Sequence, residues 1–212
     1  MTDSSITNDR AVFLVDDDVA VRRGVAALLS AAEYETTTFK SGEEFLSALP
    51  DLELANAVML VDVCMPGIQG LELQEQLNKD GVDLPVIVMT AHGDIPMAVR
   101  AMQNGAIDFL QKPFTVDEVT TALERALSVS PRRQSPLKDA SPELRSHHQS
   151  LTPRENDVFR EIVGGNTNKE IARILAISPR TVEVHRQKIM SKMEAENLAE
   201  LVRMAVTLNI GE

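Results

Sequence analysis

Residues 10–24, "RAVFLVDDDVAVRRG", lead from an apolar run directly into three consecutive acids. Residues 12–15 have the composition of a buried strand, and Asp16, Asp17 and Asp18 follow without a break. Neighbouring carboxylates repel one another unless a cation or hydrogen-bond donors offset their charge. The place of this triplet at the end of a strand therefore indicates a function for the acids as well as a fold.

Four more segments of the same kind follow along the chain. "AVFLV", "YETTTF", "AVMLV", "PVIVM" and "AIDFL" are short and mostly apolar or β-branched, and each precedes a longer stretch with helical spacing. Five such units over residues 11–128 predict a doubly wound α/β fold, a parallel sheet with helices on both faces. Ligands bind such sheets at the carboxyl ends of the strands. The polar residues that close or follow these strands should meet there: Asp16, Asp17, Asp18, Asp62, Thr90 and Lys112.

Composition restricts the class of protein. The chain has 212 residues, 43% of them hydrophobic, and its one cysteine, Cys64, excludes an internal disulfide framework and a thiolate metal cage. The longest apolar runs are far shorter than the ~18 residues that span a bilayer. The first ten residues contain no apolar signal region. We therefore expect a cytoplasmic protein that does not associate with membranes.

The net charge of −11 is unevenly distributed. Residues 1–128 contain 21 acids and 8 bases, a charge of −13, whereas residues 129–212 contain 11 acids and 13 bases, a charge of +2. An acidic half repels nucleic acid and attracts metal ions, and the other half can approach a phosphate backbone. The two halves are expected to do different electrostatic work.

A change in composition marks the boundary between these halves. Residues 129–150, "VSPRRQSPLKDASPELRSHHQS", contain three prolines and five serines without apolar periodicity, which predicts a linker whose second part can form a helical turn. The predicted domains are residues 1–128 and 151–212. Helix-start signals recur in the second domain: Thr152 with Glu155, Thr167 with Glu170, and Ser178 before Pro179. With a fourth helix over residues 198–208, they predict a small all-α domain of four helices.

The acids at the predicted strand ends suit a divalent metal. Carboxylates are hard oxygen ligands, and Mg²⁺ commonly bridges one or two of them to a phosphate. Asp16, Asp17 and Asp62 are therefore candidate Mg²⁺ ligands, and Lys112 and Thr90 are candidate contacts to phosphoryl oxygens. A carboxylate can also accept a phosphoryl group, and Asp62 is the isolated acid on the central strand. For Asp18 a helix cap is the better interpretation.

These segments resemble a known family. "VDDD", "LVDVCMPG", "VMTAHGD" and "FLQKPF" resemble, in order, the signature segments of the receiver domain of two-component response regulators. The resemblance implies a flavodoxin-like (βα)5 fold in which Asp62 accepts phosphate from a sensor histidine kinase. It implies Mg²⁺ on Asp16, Asp17, Asp62 and the backbone carbonyl of Cys64. It further implies that Thr90 and Phe109 form a switch pair, that Lys112 contacts the phosphate, and that the Lys112–Pro113 bond is cis.

A second family uses similar residues. Asp16-x-Asp18 after a strand also resembles the nucleophile motif of haloacid-dehalogenase-type phosphatases, which would make Asp16 the nucleophile and the protein a hydrolase. Ala20 stands where that motif has Thr or Val, and no acidic pair follows Lys112. The receiver is therefore the better match. We expect a regulator and not an enzyme, apart from phosphoryl transfer to its own Asp62.

The second half contains a helix-turn-helix pattern. Residues 167–193, "TNKEIARILAISPRTVEVHRQKIMSKM", form two amphipathic segments separated by "AISP". The positions predicted to face inward are Ile171, Ile174 and Leu175 in the first segment and Val182, Ile189 and Met193 in the second. The positions left to face outward in the second segment are Glu183, Val184, Gln187 and Lys188.

An outward surface of this kind suits the major groove of DNA. Val184 can contact a thymine methyl group, and Glu183 can accept from a cytosine amino group or orient an arginine. The candidate phosphate contacts are Lys169, Arg180, Arg186 and Lys188, and the predicted DNA-binding set also contains Thr181 and Gln187. "LTPRE", "NKEIA" and "SPRTVEVHR" resemble the four-helix LuxR-type, or NarL/FixJ-type, DNA-binding domain.

Together the resemblances imply a two-domain transcriptional regulator. A kinase would phosphorylate Asp62, the receiver would dimerise through a face built from residues 95–128, and paired effector domains would bind promoter DNA. An activator that works with RNA polymerase is the expected form. The alternative is a receiver protein that acts through protein contacts alone and has no operator.

Overall fold

The computed structural model describes residues 10–91, 95–128, 141–208 and 210. These residues group by closeness in space into two compact units: residues 10–91 with 110–128, and residues 95–109 with 141–208. Each is described separately below. The domain boundaries at residues 128 and 150 stay predictions, and residues 129–140 of the predicted linker and part of "VMTAHGD" lie outside the described residues.

A five-stranded parallel sheet organises the first half of the chain. The strands are β1 (Ala11–Val15), β2 (Glu35–Phe39), β3 (Ala57–Asp62), β4 (Val86–Thr90) and β5 (Asp108–Gln111). Their order is β2-β1-β3-β4-β5, and β1 pairs in parallel with both β2 and β3. The chain thus starts near the middle of the sheet and winds outward in both directions. This confirms the predicted doubly wound fold.

Helices connect the strands, as the alternating pattern predicts. They are α1 (Val19–Ala31), α2 (Gly42–Ala48) with a 3₁₀ turn (Leu49–Asp51), α3 (Gly70–Lys79), α4 (Ile95–Gln103) and α5 (Val116–Ser128). The Asp18 carboxylate accepts hydrogen bonds from the N–H groups of Ala20 and Val21 at the start of α1. The predicted cap is therefore confirmed.

Apolar packing fixes the two strands that carry the acids. Every residue of β3 is buried, and β1 is buried from Val12 onward. On one side Phe13, Phe39 and Phe45 form a ring cluster with centroid separations of 5.2 to 6.3 Å and tilted or edge-on geometry. A core of this kind holds the strand ends in a fixed position.

Five short helices make up most of the second unit: α6 (Pro142–Gln149), α7 (Pro153–Val163), α8 (Asn168–Ile174), α9 (Pro179–Met193) and α10 (Leu198–Thr207). Thr152 and Thr167 each form the predicted capping box, and the Ser178 hydroxyl accepts from the Thr181 N–H. All three predicted helix starts are confirmed. Within the described residues, no helix is long and apolar enough to cross a membrane.

Two expectations for this part of the chain need adjustment. The linker's second part is a complete helix, α6, which begins at the capping residue Ser141. Ile174 was expected to face inward but is 54% exposed, which makes that prediction wrong. Ile174 is the last residue of α8, and the buried face of the helix does not extend to it. The buried residues of α8 are Ile171 and Ala172.

Candidate functional site

Two buried carboxylates lie side by side at the carboxyl edge of the sheet. The register pairs Val15 of β1 with Val61 of β3, so the residues that follow, Asp16 and Asp62, are neighbours. Their side chains are only 1% and 9% exposed. Two like charges in such a place need a counter-charge.

Lys112 supplies that charge. Its Nζ lies 2.5 Å from Asp16 Oδ2 and 2.5 Å from Asp62 Oδ1. Its backbone N–H donates to the carbonyl of Thr90 at 2.7 Å, which ties the end of β5 to the end of β4. The Lys112–Pro113 bond is cis, as the receiver resemblance implies. Two carboxylates and one ammonium leave the cluster with a net charge of −1.

Electrostatics in the cluster follow from burial and hydrogen bonding. Burial raises the pKa of Asp16, and the hydrogen bond from Lys112 offsets only part of that change. Burial lowers the pKa of Lys112, but hydrogen bonds to Asp16 and Asp62 outweigh it, so that the net pKa is raised. Lys112 therefore stays charged at neutral pH. Additional positive charge would stabilise the ionised form of Asp16.

The loop after β3 orients the Asp62 side chain. The N–H of Cys64 donates to Asp62 Oδ2 at 2.8 Å, and the N–H of Gly70 donates to the carbonyl of Val63 at 3.1 Å. Both oxygens of Asp62 therefore have a hydrogen-bond partner, one from Lys112 and one from the loop. The Cys64 thiol itself is exposed.

The structure places the other predicted residues of this edge as follows. Thr90 is buried at the end of β4, and Phe109 is half-buried on β5. Asp17 is exposed and adds no third carboxylate to the cluster. In the part of the chain that the structure describes, no three His, Cys, Asp or Glu side chains come together closely enough to hold a metal ion by themselves.

Arg22 is a further contact to the site that the sequence patterns did not single out. Its Nη1 donates to the backbone carbonyl of Asp16 at 2.6 Å. Arg22 lies four residues after the cap Asp18, so the first turn of α1 carries it back over the strand end. The four-residue spacing between Asp18 and Arg22 is the sequence signal from which this contact could have been predicted.

The surface of α9 has the two faces that the pattern predicts. Val182, Ile189 and Met193 are fully buried. The opposite positions are exposed: Glu183, Val184, Gln187 and Lys188. Val184 is 44% exposed, an apolar side chain among polar ones. Lys169 and Arg180, at the starts of α8 and α9, are exposed as well.

The side chains of Arg186 and Thr181 form hydrogen-bond contacts within the domain. Arg186 is half-buried, and its Nη1 donates to Asn168 Oδ1 at 3.1 Å, which links α9 to α8. Burial lowers the pKa of Arg186 from its ordinary value, and arginine keeps its charge in proteins. The Thr181 hydroxyl lies 2.8 Å from that of the cap Ser178.

An ion pair between the buried Glu155 and the partly exposed Lys192 joins α7 to α9. Lys192 Nζ lies 2.6 Å from Glu155 Oε2 and also donates to the carbonyl of Ser150 at 2.9 Å. The hydrogen bond from Lys192, with further ones from Thr152, lowers the pKa of Glu155 to about 2. Glu155 thus completes a capping box and anchors the far end of α9.

Two known families match the two halves of the chain. Residues 12–124 match the family described as response regulator receiver domain, and residues 149–205 match the bacterial regulatory proteins of the luxR family. The chain belongs to the response regulators. Its receiver domain carries the acidic cluster, and its LuxR-type effector domain carries α9.

Full-length relatives have the same organisation. The response regulator is 40% identical over 202 residues to the transcriptional regulatory protein FixJ of Bradyrhizobium diazoefficiens, covering 95% of this chain and 97% of the relative. Identity to FixJ of Azorhizobium caulinodans is 44% over 199 residues, 94% and 93% of the two chains. The crystal structure of full-length FixJ from B. japonicum matches with a TM-score of 0.52 and 38% identity over 95% of this chain and 98% of that one.

These matches define the activity in general terms. The protein is a FixJ-like two-component response regulator that controls transcription in a phosphorylation-dependent way, and not a metabolic enzyme. Members of this family work with a sensor kinase and bind DNA, and receiver domains in general use Mg²⁺. The hydrolase alternative is therefore set aside.

Proposed function

We propose that Asp62 is the residue that accepts the phosphoryl group from the phosphohistidine of a sensor kinase. The observation that carries this assignment is the contrast between the two buried acids. Both carboxylates accept hydrogen bonds on both oxygens, but the Asp16 side chain is only 1% exposed. Asp62 is more accessible, at 9%, and faces the same lysine from the central strand.

The donor set fits Mg²⁺. Asp16 Oδ2 and Asp62 Oδ1 are both 2.5 Å from Lys112 Nζ, so these oxygens lie at most about 5 Å apart, and two oxygens on one Mg²⁺ are about 3 to 4 Å apart. The negative charge that remains on the cluster favours a dication. Asp16, Asp62 and the carbonyl of Cys64 would hold the ion, with Asp17 alongside, and it would supply charge neutralisation for the phosphoryl oxygens.

The chain's own groups then carry out the transfer. An Asp62 carboxylate oxygen forms the new bond to phosphorus as the phosphorus–nitrogen bond to the donor histidine breaks, and the imidazole leaves as the neutral base once it has gained a proton. Lys112 Nζ moves from the carboxylates to the phosphoryl oxygens. The Cys64 N–H keeps the acceptor carboxylate oriented. No other residue of the chain forms a covalent bond.

The acyl phosphate would shift the receiver between two packings. We propose that the Thr90 hydroxyl turns toward the phosphoryl group and that Phe109, half-buried on the neighbouring strand, turns inward in response. The changed surface over residues 95–128 then favours a homodimer. Two effector domains joined in this way bind two half-sites at once. The second binding event is then intramolecular, which raises the overall affinity for DNA.

We further propose that α9 enters the major groove. Val184 contacts a thymine methyl group, Glu183 and Gln187 face base edges, and phosphates are contacted by Lys169, Arg180 and Lys188. Thr181 and Arg186 lie on the same helix and belong to the proposed DNA-contacting set, and Arg186 also joins α9 to α8 through its hydrogen bond to Asn168. The protein would act in the cytoplasm, beside promoter DNA, as an activator that contacts RNA polymerase.

The decisive experiment locates the phosphoryl group. The protein is incubated with acetyl phosphate and Mg²⁺, the acyl phosphate is reduced with borohydride to homoserine, and the modified peptide is sequenced by mass spectrometry. Homoserine is expected at position 62. Homoserine at position 16 would make Asp16 the acceptor and would contradict the assignment.

A further inference from the structure

The loop between β3 and α3, residues 63–69, is braced from outside by the first turn of α2. The N–H of Ile68 donates to Glu43 Oε1 at 2.8 Å. Gly67, with φ +75°, leaves room for that carboxylate, since a Cβ built on it would lie 2.2 Å from Glu43 Oε1. The contact joins residues 25 positions apart, and the exposed Glu43 carboxylate also accepts hydrogen bonds from its own N–H and from the Ser41 hydroxyl.

The backbones of the loop and of α2 also touch. A Cβ on Gly42 would lie 3.1 Å from Ile68 Cβ and 3.2 Å from the Ile68 carbonyl oxygen. At the far end of the loop, a Cβ on Gly70 would lie 2.2 Å from the carbonyl oxygen of Asp62. The loop is therefore closely packed at both ends, against α2 at Ile68 and against the Asp62 carbonyl at Gly70.

The loop also carries the hydrogen bond that orients the acceptor. The Cys64 N–H holds Asp62 Oδ2 at 2.8 Å, and only three residues separate Cys64 from the braced Ile68. We propose that Glu43 is a positioning residue for phosphoryl transfer. Its carboxylate holds the loop in place, and the loop, through the Cys64 N–H, orients the Asp62 carboxylate toward the phosphoryl donor. This inference rests on the proposed role of Asp62.

The neighbouring acid shows that this contact is specific. Glu44 Oε2 accepts from the N–H of Lys40 at 2.6 Å and so stays at the start of its own helix. Glu43 also reaches across to the loop, and the N–H of Ile68, followed by its own N–H and the Ser41 hydroxyl, lowers the pKa of its carboxyl group. Hydrogen bonds to an ionised acceptor are stronger than neutral ones, which suits a brace at an exposed position. A purely local role in α2 would not require the chain to approach Gly67.

The first arm of the test measures the brace without any phosphoryl chemistry. Amide hydrogen exchange is followed by NMR in the wild type, Glu43→Ala, Glu43→Gln and the matched control Glu44→Ala. Exchange at Ile68 and at Cys64 should become several-fold faster in Glu43→Ala only, because Gln keeps an acceptor oxygen. Exchange at both amides that is unchanged from the wild type would overturn the proposal.

The second arm measures the consequence for Asp62. With acetyl phosphate and Mg²⁺, the maximal rate of phosphorylation should fall about tenfold in Glu43→Ala while the half-saturating donor concentration stays the same, because misorientation affects the bound complex. Glu43→Gln should recover most of the rate, and Glu44→Ala should match the wild type. Faster exchange combined with a wild-type rate would overturn the positioning role. A wild type that is not modified at position 62 would instead refute the proposed function, and faster exchange at Ile68 and Cys64 in Glu43→Ala would then still show the brace.

Discussion

The three consecutive acids after β1 have three different environments. Asp16 is buried on Lys112, Asp17 is exposed, and Asp18 caps α1. Their repulsion is limited because each carboxylate has a different set of neighbours. At this scale the sequence predicted the cluster of Asp16, Asp62 and Lys112 and the cap at Asp18. It did not predict that Lys112 bridges both acids, because that depends on how β5 ends beside β4.

This division makes a matched pair of variants informative. Asp17→Asn should raise the Mg²⁺ concentration needed for half-maximal phosphorylation by about tenfold, since it removes a carboxylate that we propose lies beside the metal. Asp18→Asn should leave that concentration unchanged, because asparagine caps helices as well as aspartate does. Phosphorylation by acetyl phosphate at graded Mg²⁺ checks both. An equal shift in the two variants would contradict the division of roles.

Substitutions on the exposed face of α9 test whether this helix contacts the bases of DNA. Val184→Glu should abolish specific DNA binding and leave phosphorylation intact, because it places a charge against the base edges and phosphates. Val184→Thr keeps one methyl group and should retain most of the affinity. Gel shifts on promoter fragments measure the DNA affinity of both variants, and phosphate labelling at Asp62 is the control for phosphorylation. Unchanged binding of the Glu variant would mean that another face of α9 enters the groove.

The ion pair between α7 and α9 predicts a pH dependence of stability. The pKa of Glu155 is about 2 in the folded protein against an ordinary 4.5, so the unfolded chain binds the proton more tightly. This contribution is complete above pH 4.5 and is lost as the pH falls through about 2. Unfolding free energy, measured by denaturant titration from pH 6 to 3, should therefore fall less steeply in Glu155→Gln and Lys192→Met.

Lys188 offers the control for that prediction. It lies on the same helix, is exposed, and is four residues before Lys192. Lys188→Met should keep the wild-type slope. A wild-type slope in Glu155→Gln would show that the pair does not carry this pH dependence.

At the scale of elements the sequence was informative where local chemistry determines structure. The five strands, the cap at Ser178 and the boxes at Thr152 and Thr167 were predicted, because strand patterns and caps are local signals. The exposure of Ile174 was not predicted, because it depends on the residue at which α8 ends. The brace from Glu43 to Ile68 was not predicted either, since it joins distant parts of the chain.

Across the whole molecule, charge separates the two tasks. The first 128 residues carry −13 and the remainder +2, so electrostatics favour the approach of DNA to the second half of the chain over the first. Lys169→Ala should weaken binding to all DNA sequences to a similar extent and reduce the slope of log affinity against log salt by about 1. Binding titrations at several salt concentrations test this. A loss confined to one base position would contradict a phosphate contact.

We propose that phosphorylation of Asp62 controls DNA binding by the protein. The most direct measurement is the affinity of the full chain for a promoter fragment, with and without acetyl phosphate and Mg²⁺, in the wild type and in Asp62→Asn. Phosphodonor should raise wild-type affinity by about a hundredfold, through pairing of two effector domains, and should have no effect on Asp62→Asn. An equal rise in both proteins, or none in the wild type, would contradict the claim.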